Sequence, residues 1–328
     1  MDKKQYTKLQ HYIPVSYLKQ FANCEGDNYF TCCYIKKILD IKKINIDKIC
    51  AVHDLYELQI NGKYVDRNAI EDSLIDLETR YAILCRQILS HIGRVDRVVL
   101  SGDELDTIKF FCALLIFRSK RSIDDLIGFC KSFLEYSLDY SKIREAMMEA
   151  AGLESEEYPI TEDDVKDYVY NCYVYEWVFV LMRKTLNSCL QSPLVKFATD
   201  ILGLNYGFFY DPWARFISSD SPMVNVCNLE ESGFAFDYFT YMPLAPNCCV
   251  VFFDGYEDDN GKIFSLKENQ VDVINKFQAK GRNDIVISKD EALLTKYVSH
   301  ENILDNLQGD NTILKKLTDL VKSMRKTV

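Results

Sequence analysis

The chain has 328 residues, 48% of them hydrophobic and 13% aromatic, which is ample for a sizeable buried core and about two domains by length. Its net charge of −10 argues against broad, sequence-blind binding of nucleic acid, since neutralising phosphates needs a positive face; a local basic cleft stays open. The longest apolar runs, FFCALLIF (Phe110–Phe117) and VFVLM (Val178–Met182), fall far short of the roughly 18 residues that cross a bilayer. The start MDKKQYTKLQ lacks the apolar core of a signal peptide, so a cytoplasmic protein is expected.

In chain order, LQHYIPVSYLKQFA (Leu9–Ala22) comes first: His11 and Tyr12 lead into a short helix whose first turn Pro14 preorganises. YFTCCYI, a lysine-bearing connection and AVHDLYEL read as a small sheet, closed by the hairpin-turn pair Asn61-Gly62. The lysines between Lys36 and Lys48 suit a solvated edge strand. From Arg67 the period turns helical, with Ile70, Leu74, Leu77, Tyr81, Leu84 and Ile88 on one face. Ser101 and Glu104 form a capping box that opens a strongly apolar helix running to about Arg118. Further helices are expected from near Ser122 toward Ala151 and from Thr161 to about Cys189, around the acidic break AGLESEEYPI.

After Pro193 the text reads as a hairpin joined at Asp211, Pro212 and Trp213, then strands FAFDYFTYMPLA and CCVVFFDG. A helix from about Glu268 to Lys280, a strand at Asp284–Ser288 and terminal helices follow. The fold class is α+β: a small N-terminal sheet, a central helical bundle and a C-terminal, mainly antiparallel sheet with helices. The break near residue 155 divides the chain into 1–155 and 156–328, unless one integrated domain mixes both halves. The 12 cysteines are spread through apolar segments without a CxxC and read as reduced core thiols.

Candidate chemistry starts with His11, a general base, metal ligand or phosphate partner, or else a hydrogen-bonded helix entry. Arg86 to His91 has the R-x4-H spacing of ribonucleases in the higher-eukaryote-and-prokaryote nucleotide-binding family, a spacing common by chance. In FISSDSPMV, Asp220 offers a carboxylate for a metal or guanidinium, or closes a turn. Arg118 ends an apolar helix, where a cation complements the dipole and its fork also suits a carboxylate or phosphate. Glu71 and Glu78 share one helix face, as ion-pair partners or metal ligands. P-loop, GxGxxG, GxSxG, HExxH and kinase signatures do not occur.

HYIPVSYLKQFA resembles the HYxPxxYLxxF motif that opens a mainly microbial family, domain of unknown function 4238. AVHDLYEL is similar to its Asp-x-Tyr strand, IEDSLIDLE to its helix with two spaced glutamates, and FRSKR to its Arg-bearing helix end. FISSDSPMV resembles its S/T-D-x-P segment, YMPLAPNCCVVF its PLxP strand, and VINKFQAKGRNDIVIS its Asn-bearing helix and strand. The resemblance spans roughly Gln10 to Ser288 and singles out His11, Arg118 and Asp220 as catalytic candidates, with Glu78 and Asn275 as binding residues. It supplies no reaction.

Two functions are therefore expected in competition. One is a phosphodiesterase or nuclease, a toxin or phage-defence effector in a bacterial setting, acting on nucleic acid or nucleotide with or without a divalent metal. Here His11 is base or ligand, Arg118 a phosphate clamp, and Asp220 a ligand or His-orienting carboxylate. The other is a non-catalytic module binding a protein or small ligand through its aromatic-rich segments.

Overall fold

A computed structural model describes residues 6–60, 63–65, 67–119, 205–227, 238–254 and 257–298, with isolated positions between 123 and 165. The helices expected near 122–151 and 161–189, and the break at 155, lie outside the described residues apart from those positions. The N-terminal part runs β1 (Leu9–His11), α1 (Val15–Leu18), β2 (Asn23–Glu25), β3 (Asn28–Ile35), β4 (Asp40–Asn45), β5 (Ala51–His53), β6 (Leu58–Ile60), β7 (Lys63–Val65), α2 (Ala69–His91) and α3 (Gly102–Arg118). The C-terminal part runs β8 (Asn205–Tyr210), β9 (Ser218–Ser219), β10 (Val224–Cys227), β11 (Tyr238–Ala245), β12 (Cys248–Phe253), β13 (Lys262–Ser265), α4 (Glu268–Gly281), β14 (Ile285–Ser288) and α5 (Glu291–Val298). The fold is α+β.

Two five-stranded sheets carry it. One, ordered β10-β11-β12-β8-β13, is antiparallel except for the parallel β13–β8 pair. Gly207 is what lets β13 lie against β8: a Cβ there would meet a Phe264 ring carbon at 2.8 Å and the Lys262 carbonyl at 2.9 Å. The other sheet runs β2-β3-β14-β9, with the lysine-bearing β4 paired to β3. The small N-terminal sheet is thus completed by two strands from the far end of the chain.

The hairpin expected across Asp211–Trp213 does not form, because β8 and β9 enter different sheets. The segment between them is a braced loop. Buried Asp211 accepts from the Arg215 backbone N–H at 2.8 Å and from its Nε and Nη2 at 3.0 and 2.9 Å. A side-chain pair four residues apart therefore replaces the strand ladder that alternation in the text implies.

Helix α2 buries Ile70, Leu74, Leu77, Tyr81, Leu84 and Ile88, the face its period marks. Helix α3 begins with the Ser101–Glu104 capping box and buries Ile108, Phe111, Cys112 and Leu115. Tyr81, Leu84 and Ile88 of α2 and these α3 residues share one core with Tyr17, Phe21, Met242, Leu244 and Val250, so the helix pair rests on strands of the C-terminal sheet. Among the described residues, no helix is long and apolar enough to cross a membrane.

Candidate functional site

His11 closes β1 opposite Ala51, and the chain then turns at Pro14, which caps α1 by accepting from the Tyr17 and Leu18 N–H groups at 3.0 Å each. The adjacent residues serve different neighbourhoods. Tyr12 is buried beside Cys50, whose carbonyl accepts its N–H at 2.9 Å. The backbone carbonyl of Ile46 faces one nitrogen of the His11 ring and favours the ring's protonated form. Its other nitrogen, Nε2, is buried without a hydrogen bond among the described residues. A donated Nδ1–H leaves the lone pair on Nε2. Burial lowers the pKa below 6.5 more than anything else acting on it, Ile46 and Asp47 oppose that, and Arg118 adds to it, so the ring is neutral near pH 7.

Arg118, the last residue of α3, is 1% exposed. It donates from Nε to the Tyr56 hydroxyl at 3.1 Å, from Nη1 to Glu78 Oε1 at 2.5 Å and from Nη2 to the His11 carbonyl at 2.5 Å. Burial works against its charge, and Tyr56 and Glu78 outweigh that and keep it protonated. This is more than a cation complementing a helix dipole: it is a buried junction of β1, α2, α3 and the loop that carries Tyr56. Gln10, itself fully buried, fixes that loop by accepting from the Tyr56 N–H at 2.7 Å and donating to Glu57 at 2.7 Å.

Beside this junction lies a cavity of about 410 Å³ lined by His11, Ser16, Glu71, Glu78, Arg86 and Arg118, with apolar walls from Val15, Ile75 and Ile83. Glu71 and Glu78 sit two turns apart on the α2 face turned to it. Glu78 is committed to Arg118. Glu71 Oε1 and Ser16 Oγ make no hydrogen bond among the described residues, so with His11 three residues lining one cavity each carry a buried, unpartnered polar atom. Buried polar groups are nearly always bonded, so such a concentration calls for partners from water or a ligand. Burial pushes the Glu71 carboxyl up to about 7; Arg118 opposes this, while Glu78, Glu57 and Asp72 add to it. Arg86 stands at the exposed rim. His91, five residues on and about 140° round the helix, is not in the lining, so the R-x4-H pair does not converge there.

The other two candidates lie elsewhere. Asp220 is buried and accepts from the backbone N–H groups of Asn283 at 2.9 Å and Asp284 at 2.8 Å, tying the S-D-x-P segment to the start of β14. Burial raises its pKa to about 6 against those bonds. Asn275 is fully buried, accepting from the Ile217 N–H at 3.1 Å and donating to the Arg215 carbonyl at 2.8 Å, so α4 is stitched to the segment ahead of β9. The structure thus gathers His11, Glu78 and Arg118 at one cavity and sets Asp220 and Asn275 in backbone-bracing positions. Among the described residues no group of three or more His, Cys, Asp or Glu is placed to hold a metal ion.

Sequence reasoning passed over Ser16 and Tyr56 as site residues. Tyr56 had a signal in the Asp-x-Tyr element, whereas Ser16 had none, since a serine in a helix's first turn is ordinary.

Fold and cavity together define an α+β protein in which an N-terminal His motif, a two-glutamate helix and a buried arginine build one polar cleft. Residues 9–292 match the family described as "Protein of unknown function (DUF4238)", and the chain belongs to that family. No curated protein and no solved structure matches it.

Proposed function

We propose that the chain is a phosphodiester hydrolase of the nuclease or phosphodiesterase type, working by general acid–base catalysis in the His11–Glu71 cavity. The observation that carries this reading is that His11, Ser16 and Glu71, which line one cavity with Arg86 and Arg118, each hold a buried polar atom that is unpartnered among the described residues. His11 Nε2 takes the proton of an attacking water as its oxygen bonds to phosphorus. Glu71, holding a proton near neutral pH, delivers it to the leaving oxygen as the P–O bond breaks. Arg86 at the rim meets the phosphoryl oxygens. Arg118, spent on Glu78, Tyr56 and the His11 carbonyl, is a positioning residue.

The test is cleavage of RNA, single-stranded DNA, dinucleotides and an activated aryl phosphodiester, with and without chelator, by the wild type, His11→Ala and Glu71→Gln. The expected result is turnover by the wild type and a loss of about 10²- to 10⁴-fold in each variant at unchanged fold. No turnover by the wild type, or wild-type rates in both variants, overturns the reading. Growth arrest on expression of the wild type but not of His11→Ala would support a toxin or phage-defence role. The commitment of Arg118 also favours a second reading, non-catalytic ligand binding in the same cavity, which predicts a ligand-raised melting temperature without turnover.

A further inference from the structure

A second cavity, of about 550 Å³, lies one helical turn beyond the first. Ser16 lines the first and Gln20 the second, four residues apart on the continuous turn formed by α1 and the 3-10 segment Lys19–Phe21. Arg86 lines the first and Leu89 the second, on one face of α2. The two hollows therefore follow one another along the same pair of elements.

The second cavity is walled by the braced loop after β8. Trp213 stands there 76% exposed, on a segment fixed at both ends by the Asp211 N–H bond to Asn247 at 3.1 Å and the Phe216 N–H bond to Pro246 at 2.8 Å. Asp211 accepts the Trp213 N–H as well. A large aromatic held out on a rigid loop, with Ala214 beside it at a φ of 52°, is prepared for stacking before any partner arrives. Most charges around it are committed. Arg215 pairs with Asp211 and Glu268, and Asp290 accepts from the Ala292 N–H at the start of α5. Lys289 makes no ion pair among the described residues and is the uncommitted cation of the wall.

We propose that this cavity is a nucleotide subsite of the same substrate groove, in which Trp213 stacks a base and Lys289 meets the adjoining phosphate. The substrate is then a single-stranded oligonucleotide, whose unpaired bases are free to stack, rather than a free nucleotide or a closed duplex. The inference rests on the phosphodiesterase reading for the neighbouring cavity.

The test separates the two by measuring binding in a variant that does not turn over. Fluorescein-labelled, mixed-sequence RNA and DNA strands of about eight nucleotides are titrated with Glu71→Gln, Glu71→Gln/Trp213→Ala and Glu71→Gln/Trp213→Phe. The alanine variant is expected to bind about ten- to a hundredfold more weakly than Glu71→Gln, with phenylalanine restoring most of the loss. Equal affinity of the alanine variant and Glu71→Gln, or no binding of either strand by Glu71→Gln, overturns the inference. Wild-type cleavage by Glu71→Gln alone would overturn the catalytic assignment instead, while the ratio of affinities would still report on Trp213.

Discussion

Arg118 grips His11 by its backbone rather than its ring: Nη2 donates to the His11 carbonyl at 2.5 Å, while the imidazole Nε2 has no hydrogen bond among the described residues. The arginine's charge is neutralised by Glu78 and its remaining reach is spent on Tyr56. One residue thereby sets the position of His11 without competing for the lone pair of its ring.

Replacing Arg118 by Ala strands the Glu78 carboxylate, the Tyr56 hydroxyl and the His11 carbonyl together, and is expected to cost about 3 to 5 kcal/mol. Lysine at this position cannot reproduce a three-way fork and should recover less than half of that. Urea titrations of the three proteins check this; a loss under about 1 kcal/mol for the alanine variant would mean the junction does not hold the fold.

His11→Ala removes a half-buried ring with one nitrogen unbonded among the described residues and the other facing the Ile46 backbone, so its structural cost is expected at about 1 to 2 kcal/mol while turnover collapses. A melting curve beside a rate measurement separates these effects. A large loss of stability with proportional loss of rate would assign His11 to the scaffold.

Glu71 gives stability a pH signature. In the unfolded chain it ionises near 4.5 and in the folded chain near 7, so between those values the folded chain keeps a proton the unfolded one has released. Stability from this group is full below about 4.5 and lost as pH rises through 7. Glu71→Gln should therefore be more stable than the wild type at pH 8, by on the order of 2 to 3 kcal/mol, with the difference vanishing near pH 4.5. Denaturation midpoints across pH 4 to 8 read this directly, and a pH-independent difference contradicts it.

The rate profile should show a matching shape. The proposed mechanism requires neutral His11 and protonated Glu71, so kcat/KM is expected to fall below the lowered histidine pKa and again above about 7. An alkaline limb that persists unchanged in residual Glu71→Gln activity would give that proton to another group.

Asp220→Ala leaves two backbone N–H groups at 283 and 284 without their acceptor and is expected to cost about 2 to 4 kcal/mol, with turnover per folded molecule retained. Hydrogen exchange at those two amides reads the local effect. Loss of turnover in a fully stable protein would bring Asp220 into the chemistry after all.

Element types were legible to a useful degree because they follow local period and capping. The buried face of α2, the capping box at Ser101 and Glu104, the strand at β14 and the edge lysines of β4 all follow from neighbours within a few residues. Partnership was not legible. The alternation on either side of Asp211 does not say that β8 joins one sheet and β9 another, since alternation marks a strand and not its partner. Arg118 reads as a helix-end cation because its burial depends on Glu78, 40 residues away, and on His11, 107 residues away. Glu71 and Glu78 look alike in the text and part company only where the guanidinium reaches one of them.

The helix that follows His11 has a further tether with a consequence for assembly. The Tyr17 hydroxyl lies 2.7 Å from Ser218 Oγ and donates to the Pro243 carbonyl at 2.8 Å, closing loops of 201 and 226 residues. Such closures carry a large entropic cost and come late in a folding sequence. During synthesis the first residues of the cavity leave the ribosome early yet lack this tether until residues 218 and 243 have emerged. A chain terminated between residues 119 and 217 would thus carry every lining residue of the His11–Glu71 cavity and lack both partners of the tether that holds α1.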